Sequence, residues 1–270
     1  MFALLSRGIN NFMASVSGAV QQAKSPGDSP LSGSVDSRSV NSNRSANKAM
    51  PIEYQVHRLS KDNISEIVQF LVEHFAPNEP ILAGLHINNE IELQKLFEDL
   101  VDDAVKCKSS VLIRGDGGAI DGVCLACDAS VFDQQIDRLC RYPISNRNVL
   151  NAVDFLKYVF NKLDAQFHFE NNKVSKPVFV AVVAVRSDKW GRGMGRQLVN
   201  SCIEHAKEDR CDGAITMLSN KRAISLMENI FSTTLSSVRY DSFRGEQREP
   251  PIVMPPDENQ RSLLVNLAKF

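Results

Sequence analysis

The chain has 270 residues, 43% of them hydrophobic, which is ample for a packed core and excludes a wholly disordered or fibrous protein. Its 31 Lys and Arg stand against 32 Asp and Glu, a net charge of −1, so no global field draws in a polyanion or a membrane surface, and nucleic acid is not an expected partner. Six cysteines (Cys107, Cys124, Cys127, Cys140, Cys202, Cys211) are scattered through apolar or helical contexts with no secretory signal ahead of them; they read as reduced thiols, and the expected location is cytoplasmic.

Residues 1–50 differ from the rest. Over 21–50 the chain is rich in Ser, Asn, Gly and Pro and nearly empty of large apolar side chains, so ordering it would cost entropy that burial could not repay. A disordered tail over 1–50 and one domain over 51–270 are expected. Residues 1–20 lack acidic side chains and fit a short amphipathic helix of the mitochondrial presequence type, with Arg7 as the single positive charge, or equally a frayed terminus. No run reaches the roughly 18 uninterrupted apolar residues of a membrane helix, so no membrane span is expected.

From residue 51 the pattern becomes regular. "IEYQVHRLS" alternates as a strand, and Ile64, Ile67, Val68, Leu71 and Phe75 then recur at helical spacing after Asp62 or Asn63 as cap. A second helix over 88–105 offers Ile91, Leu93, Leu96, Phe97, Leu100 and Val101 as an apolar side. "SVLIRG" and "AIDGVCLACDA", joined by "DGG", read as an antiparallel hairpin. Cys124 and Cys127 fall within its second strand, where residues three apart face opposite sides of a sheet, which argues against a metal knuckle. A helix over 148–167 places Val149, Val153, Leu156, Phe160, Leu163 and Phe167 on one stripe, read as core. "VFVAVVAV" is continuous enough to be covered on both faces and is the expected central strand. Strand "GAITMLS", helix "NKRAISLMENIF", strand "TTLSSVRYDSF", a Pro-rich link and a last strand "SLLVNLAKF" complete a mixed α/β domain.

Between the central strand and the next helix stand Gly191, Gly193 and Gly195. Bare peptide N–H groups at a helix start, aided by the helix dipole, suit an anion. The spacing is G-x-G-x-G late in a mixed sheet rather than the G-x-G-x-x-G of a dinucleotide fold, and no Gly-Lys-Ser or Gly-Lys-Thr is present for a nucleotide P-loop. An ordinary turn would not need three glycines, each costing about 1 kcal/mol if it falls inside the helix. His74 and His205 pair with no candidate nucleophile and read as structural.

The segment "VVAVRSDKWGRGMGRQLV" resembles the coenzyme-A-binding motif of the GNAT superfamily of N-acetyltransferases, in which R/Q-x-x-G-x-G/A opens a helix, and "NKRAISLME" is similar to its N-x-x-A-x-x-L-Y-E. "FLVEHFAPNEPILAG", and "YDSF" before a Pro-rich stretch, resemble the invertebrate arylalkylamine branch. The resemblance covers 51–270. It implies a mixed, mostly antiparallel sheet whose parallel fourth and fifth strands splay, flanked by helices. It also implies acetyl-CoA as co-substrate, held by Val183, Ala184 and Val185 along the strand, by Gly191, Arg192, Gly193, Met194, Gly195 and Arg196 at the diphosphate, and by Asn220.

The implied reaction moves an acetyl group to a small aromatic primary amine of the dopamine, serotonin, tyramine or octopamine type. Such an amine is largely protonated at neutral pH and needs a base before it can attack a thioester. By the resemblance that base is Glu79 of the E-P pair, and Ser219 is a proton donor near the thiol; a strand-end or helix-cap role for Ser219 remains open. The chain departs from the pattern at Trp190, where Arg or Gln is usual, at Met227 in place of a tyrosine, at Ala223 in place of a second serine, and in lacking the Gly of L-G-F. These departures leave room for a slower enzyme, a shifted substrate including protein or peptide amines, or a CoA-binding module without catalysis.

Overall fold

The computed structural model describes residues 54–129, 146–163, 165–244, 251–255 and 259–270. The tail expected over 1–50, Cys140 and the side chain of Phe167 lie outside the described residues. Among the described residues seven strands form one sheet in the order β1-β2-β3-β4-β5-β7-β6. They are β1 (Val56–Arg58), β2 (Val111–Arg114), β3 (Ile120–Asp128), β4 (Pro177–Val185), β5 (Gly213–Leu218), β6 (Thr233–Arg239) and β7 (Ser262–Lys269). The run expected at the centre is β4. It pairs antiparallel with β3 and parallel with β5, the one parallel pair in the sheet.

Among the described residues seven helices flank it: α1 (Ile64–Phe70), α2 (Pro80–Gly84), α3 (Glu90–Lys106), α4 (Arg147–Leu163), α5 (Ala165–Asn172), α6 (Met194–Glu208) and α7 (Lys221–Met227). Strand alternation sorts the core into two layers. Phe179, Val182 and Ala184 of β4 join α1, α3 and α4 on one face, while Val178 and Val180 join Met194, Leu198 and Cys202 of α6 on the other. Cys124 and Cys127 fall in different layers, as their spacing required. Gln197 of α6 holds the start of the described chain, donating from Nε2 to Tyr54 O (2.6 Å) and accepting from Tyr54 N (3.1 Å).

Three differences from the sequence reading have local causes. Ile91 is 64% exposed rather than on the apolar side of α3; it precedes buried Leu93 by two residues, about half a turn, so it points away from the stripe of Leu93, Phe97 and Val101. The strand expected to run through Phe243 ends at Arg239, and Tyr240–Ser242 form a 3-10 turn that folds the Tyr240 ring into the core against Phe155 (centroids 5.6 Å apart). The helix after β1 does not stop at Phe70 but widens into a π turn, Leu71–Phe75, and then a 3-10 turn, Ala76–Asn78, that delivers the chain to Glu79.

Candidate active site

The parallel pairing of β4 with β5 covers only four rungs, from Pro177↔Gly213 to Val180↔Thr216. Beyond the last rung each strand continues with another partner: β4 stays on β3 as far as Val185↔Gly122, and β5 stays on β7 as far as Leu218↔Leu264. A register shift where Leu125 and Ala126 of β3 oppose Val182 and Val180 leaves Ala181 as an extra residue in β4, and such a bulge bends and twists the strand that carries it. The two strands therefore part, and a gap opens between them.

Which peptide groups face the gap follows from the strand period of two. Arg186 N donates to Asp121 O (2.9 Å), so residues 186, 184 and 182 turn their peptide groups toward β3. Val183 and Val185 turn theirs the other way, into the gap. Of the three β4 residues expected to hold a cofactor, Ala184 contributes no peptide group to this opening and instead packs a buried side chain (6% exposed).

At the end of β4 the chain makes a 3-10 turn, Ser187–Lys189, and reaches the glycines. Gly191 (φ +77°) and Gly193 (φ +82°) lie in the left-handed region, where other residues are strained, and a Cβ on either would meet nothing within 4 Å. Gly193 is the N-cap of α6, whose first-turn N–H groups at Met194, Gly195 and Arg196 have no acceptor within the helix. Gly195 does a different job: its Cβ would stand 3.3 Å from Leu226 Cδ2, so it is small to let α7 pack onto α6. The open pair and the packing glycine were indistinguishable by spacing alone.

Across the gap, Ser219 follows the last residue of β5. It lies three residues past the final rung, as Val183 does on β4, so the two face each other from opposite banks. Ser219 is 7% exposed, and its Oγ donates to Glu79 Oε2 (2.9 Å), a contact between residues 140 positions apart in the chain. Glu79 is the N-cap of α2: its Oε1 accepts from Ile81 N (3.3 Å), and Pro80 takes the first helical position, where a missing N–H costs nothing. The carboxylate thus uses one oxygen to cap the helix and presents the other to Ser219. The helix-cap role left open for Ser219 belongs instead to Asn220, whose Oδ1 accepts from Ala223 N (2.8 Å) at the start of α7.

Tyr240, absent from the residues singled out in the sequence, completes this bank: its hydroxyl donates to Ser219 O (2.8 Å) while its ring stacks on Phe155, which also meets Phe243 (5.5 Å). The sequence signal for Glu79 as a cap was an acidic residue before proline and an apolar run. Tyr240 stood in the "YDSF" segment of the resemblance, but nothing there pointed to its bond with Ser219, because the bend that buries it depends on tertiary packing. His74 stands apart from the gap, 3.8 Å from Glu73 and edge-on to Phe70. His205 lies in the last turn of α6.

Such a gap, with peptide groups on one bank, a carboxylate–hydroxyl pair on the other and an open anion turn at its mouth, can hold an anionic ligand beside an acid–base pair. Residues 165–231 match the model of the Acetyltransferase (GNAT) family, whose members take the acetyl group from acetyl-CoA. Among solved structures it is similar to the polyamine N-acetyltransferase of Drosophila melanogaster, which forms N-acetylagmatine (16% identity, 81% of this chain and 100% of that one, TM-score 0.68). It is also similar to arylalkylamine N-acetyltransferase 2 of Aedes aegypti (16% identity, 79% and 98%, TM-score 0.65) and to a mosquito arylalkylamine N-acetyltransferase-like 5b (13%, 81% and 100%, TM-score 0.66). At these identities the likeness speaks for the fold. The comparison with curated proteins finds no match.

Among the described residues no cluster of His, Cys, Asp and Glu is arranged to hold a metal ion, and no helix is long and apolar enough to cross a membrane. The features that fit acetyl-CoA are the two left-handed glycines with free space above them, the unpaired first turn of a 15-residue helix, and the peptide groups of Val183 and Val185.

Proposed function

We propose that residues 51–270 form an N-acetyltransferase domain, with residues 1–50 as a tail outside it, that acetylates a small aromatic primary amine of the dopamine, serotonin, tyramine or octopamine type, with Glu79 as general base. The observation that carries this reading is the Ser219–Glu79 hydrogen bond across 140 residues of sequence, placed at the edge of the gap between β4 and β5. Glu79 already has a capping partner in Ile81 N, so the bond to Ser219 is not part of the helix cap and brings a carboxylate oxygen and a hydroxyl together at the gap. The aromatic class of the substrate rests on the resemblance of the segment around Glu79 to the arylalkylamine branch.

Bound acetyl-CoA supplies an acyl thioester that an uncharged amine can attack directly. The first-turn N–H groups of α6 and the turn over Gly191 and Gly193 hold the diphosphate, and the inward peptide groups of Val183 and Val185 hold the arm and the oxygen on which charge develops. Asn220, at the first turn of α7, adjoins the same arm. Glu79 Oε2 removes the ammonium proton, and Ser219, already bonded to that oxygen, orients it. That proton passes to solvent before the attack; Glu79 then takes the second proton from the nitrogen once it has bonded to the carbonyl carbon, and as the thiolate departs Ser219 gives its hydroxyl proton to sulfur and takes that one from Glu79, which returns both groups to their starting state. Tyr240 fixes Ser219 from behind through its carbonyl. Holding both substrates supplies much of the rate, and no acyl-enzyme is required.

The test is CoA thiol release with acetyl-CoA across a panel of aromatic amines, polyamines and amino-terminal peptides. Amine-dependent release that is greatest for the aromatic amines is the expected result. CoA binding without release above background marks a module without catalysis, and preference for peptides marks a protein acetyltransferase; either outcome removes the present reading.

A further inference from the structure

Trp190 stands immediately before the open glycines. Its indole Nε1 donates to Val185 O (2.8 Å), one of the two β4 carbonyls that face the gap, and this pins the ring across the end of the strand. The guanidinium of Arg222, from the first turn of α7, lies 4.3 Å from the centre of that ring. The reason it arrives there is helical: Leu226, four residues on and on the same face of α7, packs against Gly195, so Arg222 is carried one turn toward the glycine turn.

Of the cations nearest in sequence to the glycines, three are already engaged, while Arg196, in the first turn of α6, is exposed and among the described residues meets no carboxylate and no ring that would fix it. Arg186 bonds to Asp188 (3.1 Å) and Asp121 (3.3 Å), Lys189 lies 3.9 Å from Asp121, and Arg192 reaches Asp188 O (3.4 Å). Among the described residues Arg222 meets no carboxylate. A guanidinium laid on an aromatic face spends its flat side on the ring and keeps its in-plane N–H donors for something else, and those donors suit paired phosphate oxygens. The indole holds the side chain in place, which lowers the entropy lost when an anion binds.

We infer that Arg222, stacked on Trp190, is the fixed cationic contact for the diphosphate of acetyl-CoA, and that Trp190 is its positioning residue. This deepens the acetyl-CoA reading and rests on it. Trp190 occupies the position at which a charged or amide side chain is usual in the motif; here the charge arrives from α7 and the ring serves as its platform.

Trp190 is the single tryptophan of the chain, so intrinsic fluorescence reports this site directly. The experiment titrates the full-length protein and Arg222→Met with CoA, dephospho-CoA and pantetheine, by fluorescence and by calorimetry. Arg222→Met is expected to weaken CoA and dephospho-CoA binding alike, by about tenfold, and to leave pantetheine affinity unchanged. Trp190→Ala, followed by calorimetry, is expected to match that loss, and Trp190→Phe, which keeps a ring but not the indole N–H, to show a smaller one.

Unchanged CoA affinity in Arg222→Met overturns the assignment while leaving the acetyl-CoA reading intact. An equal loss for pantetheine overturns it too, because the residue would then act by holding the loop. A loss for CoA but not for dephospho-CoA moves the contact to the 3′-phosphate and overturns the diphosphate assignment. A wild-type protein that binds no CoA by either method removes the acetyl-CoA reading and the assignment together. Arg222→Gln, read by the same three titrations, replaces Arg222→Met if that variant fails to keep the wild-type melting temperature without ligand.

Discussion

At its beginning β4 is bonded on both sides, to β3 and over 177–180 to β5, while over 183–185 only β3 remains. The first end is crowded. Asp212 accepts from Ser175 N (2.8 Å), Ser175 Oγ (2.5 Å) and Lys176 N (2.8 Å), and a Cβ on Gly213 would stand 2.9 Å from Ala268 O and from Val174 Cγ1. Beside it, burial pushes the Cys127 thiol up to about 12, so that thiol stays protonated and inert at neutral pH. The second end is bare, with two left-handed glycines whose missing side chains would meet nothing within 4 Å. Glycine marks both ends for opposite reasons: at Gly213 protein atoms fill the space, and at Gly191 and Gly193 the space is kept for a ligand. One strand thus carries a closed, load-sharing end and an open, functional one, and changes at each should separate stability from catalysis.

The largest effect is expected at the open end. Glu79→Gln keeps a capping oxygen for Ile81 but cannot accept the amine proton, so kcat and kcat/KM should fall together by about a hundredfold or more, with CoA affinity nearly unchanged. Steady-state kinetics and a CoA titration check this, and the acidic limb of the pH–rate profile, where a required base becomes protonated, should be altered in the variant. An unaltered profile removes Glu79 as the base. Next is Gly193→Trp, which places a strained residue and a large ring where the diphosphate is expected. Saturation of the wild type at 100 times the Kd should stabilise it by about 2.7 kcal/mol, and the variant should show none of this shift in thermal melts with CoA.

The closed end should respond in stability and not in binding. Asp212→Asn weakens three hydrogen bonds to a carboxylate and should cost about 1–2 kcal/mol, seen as a lower melting temperature with unchanged CoA affinity. Burial raises the pKa of Asp212, but hydrogen bonds from Ser175 and Lys176 outweigh it and hold the group below the usual carboxylate range. A depressed folded pKa contributes stability that is fully present above the ordinary aspartate value, about 3.9, and is lost as pH falls through the lower folded value. The gap in melting temperature between wild type and Asp212→Asn should therefore close on acidification and stay open toward neutral pH.

The two ends were not equally legible in sequence. The strand and helix order was readable because "VFVAVVAV" is a continuous run rich in β-branched residues and Val149, Val153 and Leu163 recur at helical spacing, and both form, as β4 and α4. The glycine turn was readable because few structures other than an anion site ask for so many bare positions at a helix start. What distinguished Gly195 from Gly193 was not, since that depends on Leu226 arriving from another helix. The pairing of Glu79 with Ser219 spans 140 residues and obeys no local spacing; each residue could be pointed to only by resemblance. Arg222, Tyr240 and the division of labour between Ala184 and its neighbours come from register and packing, which no window of sequence contains.

The smallest effect tests how the open end is held without β5. Asp121, with an 8% exposed side chain, accepts from Arg186 Nη1 (3.3 Å), lies 3.9 Å from Lys189 Nζ, and offers its carbonyl to Arg186 N. These contacts fasten the turn before Trp190 to β3, so the loop is braced from the side opposite the gap. Asp121→Asn preserves shape and the main-chain bond but removes the charge that faces both cations. Arg186 is about a third exposed and Lys189 similarly so, which limits the loss to about 1 kcal/mol. Because the brace acts on the loop and not on the acid–base pair, the variant should raise the KM for acetyl-CoA about three- to fivefold and leave kcat unchanged. An equal fall in kcat would show instead that the gap itself had shifted, and that the bracing reaches Ser219 on the far bank.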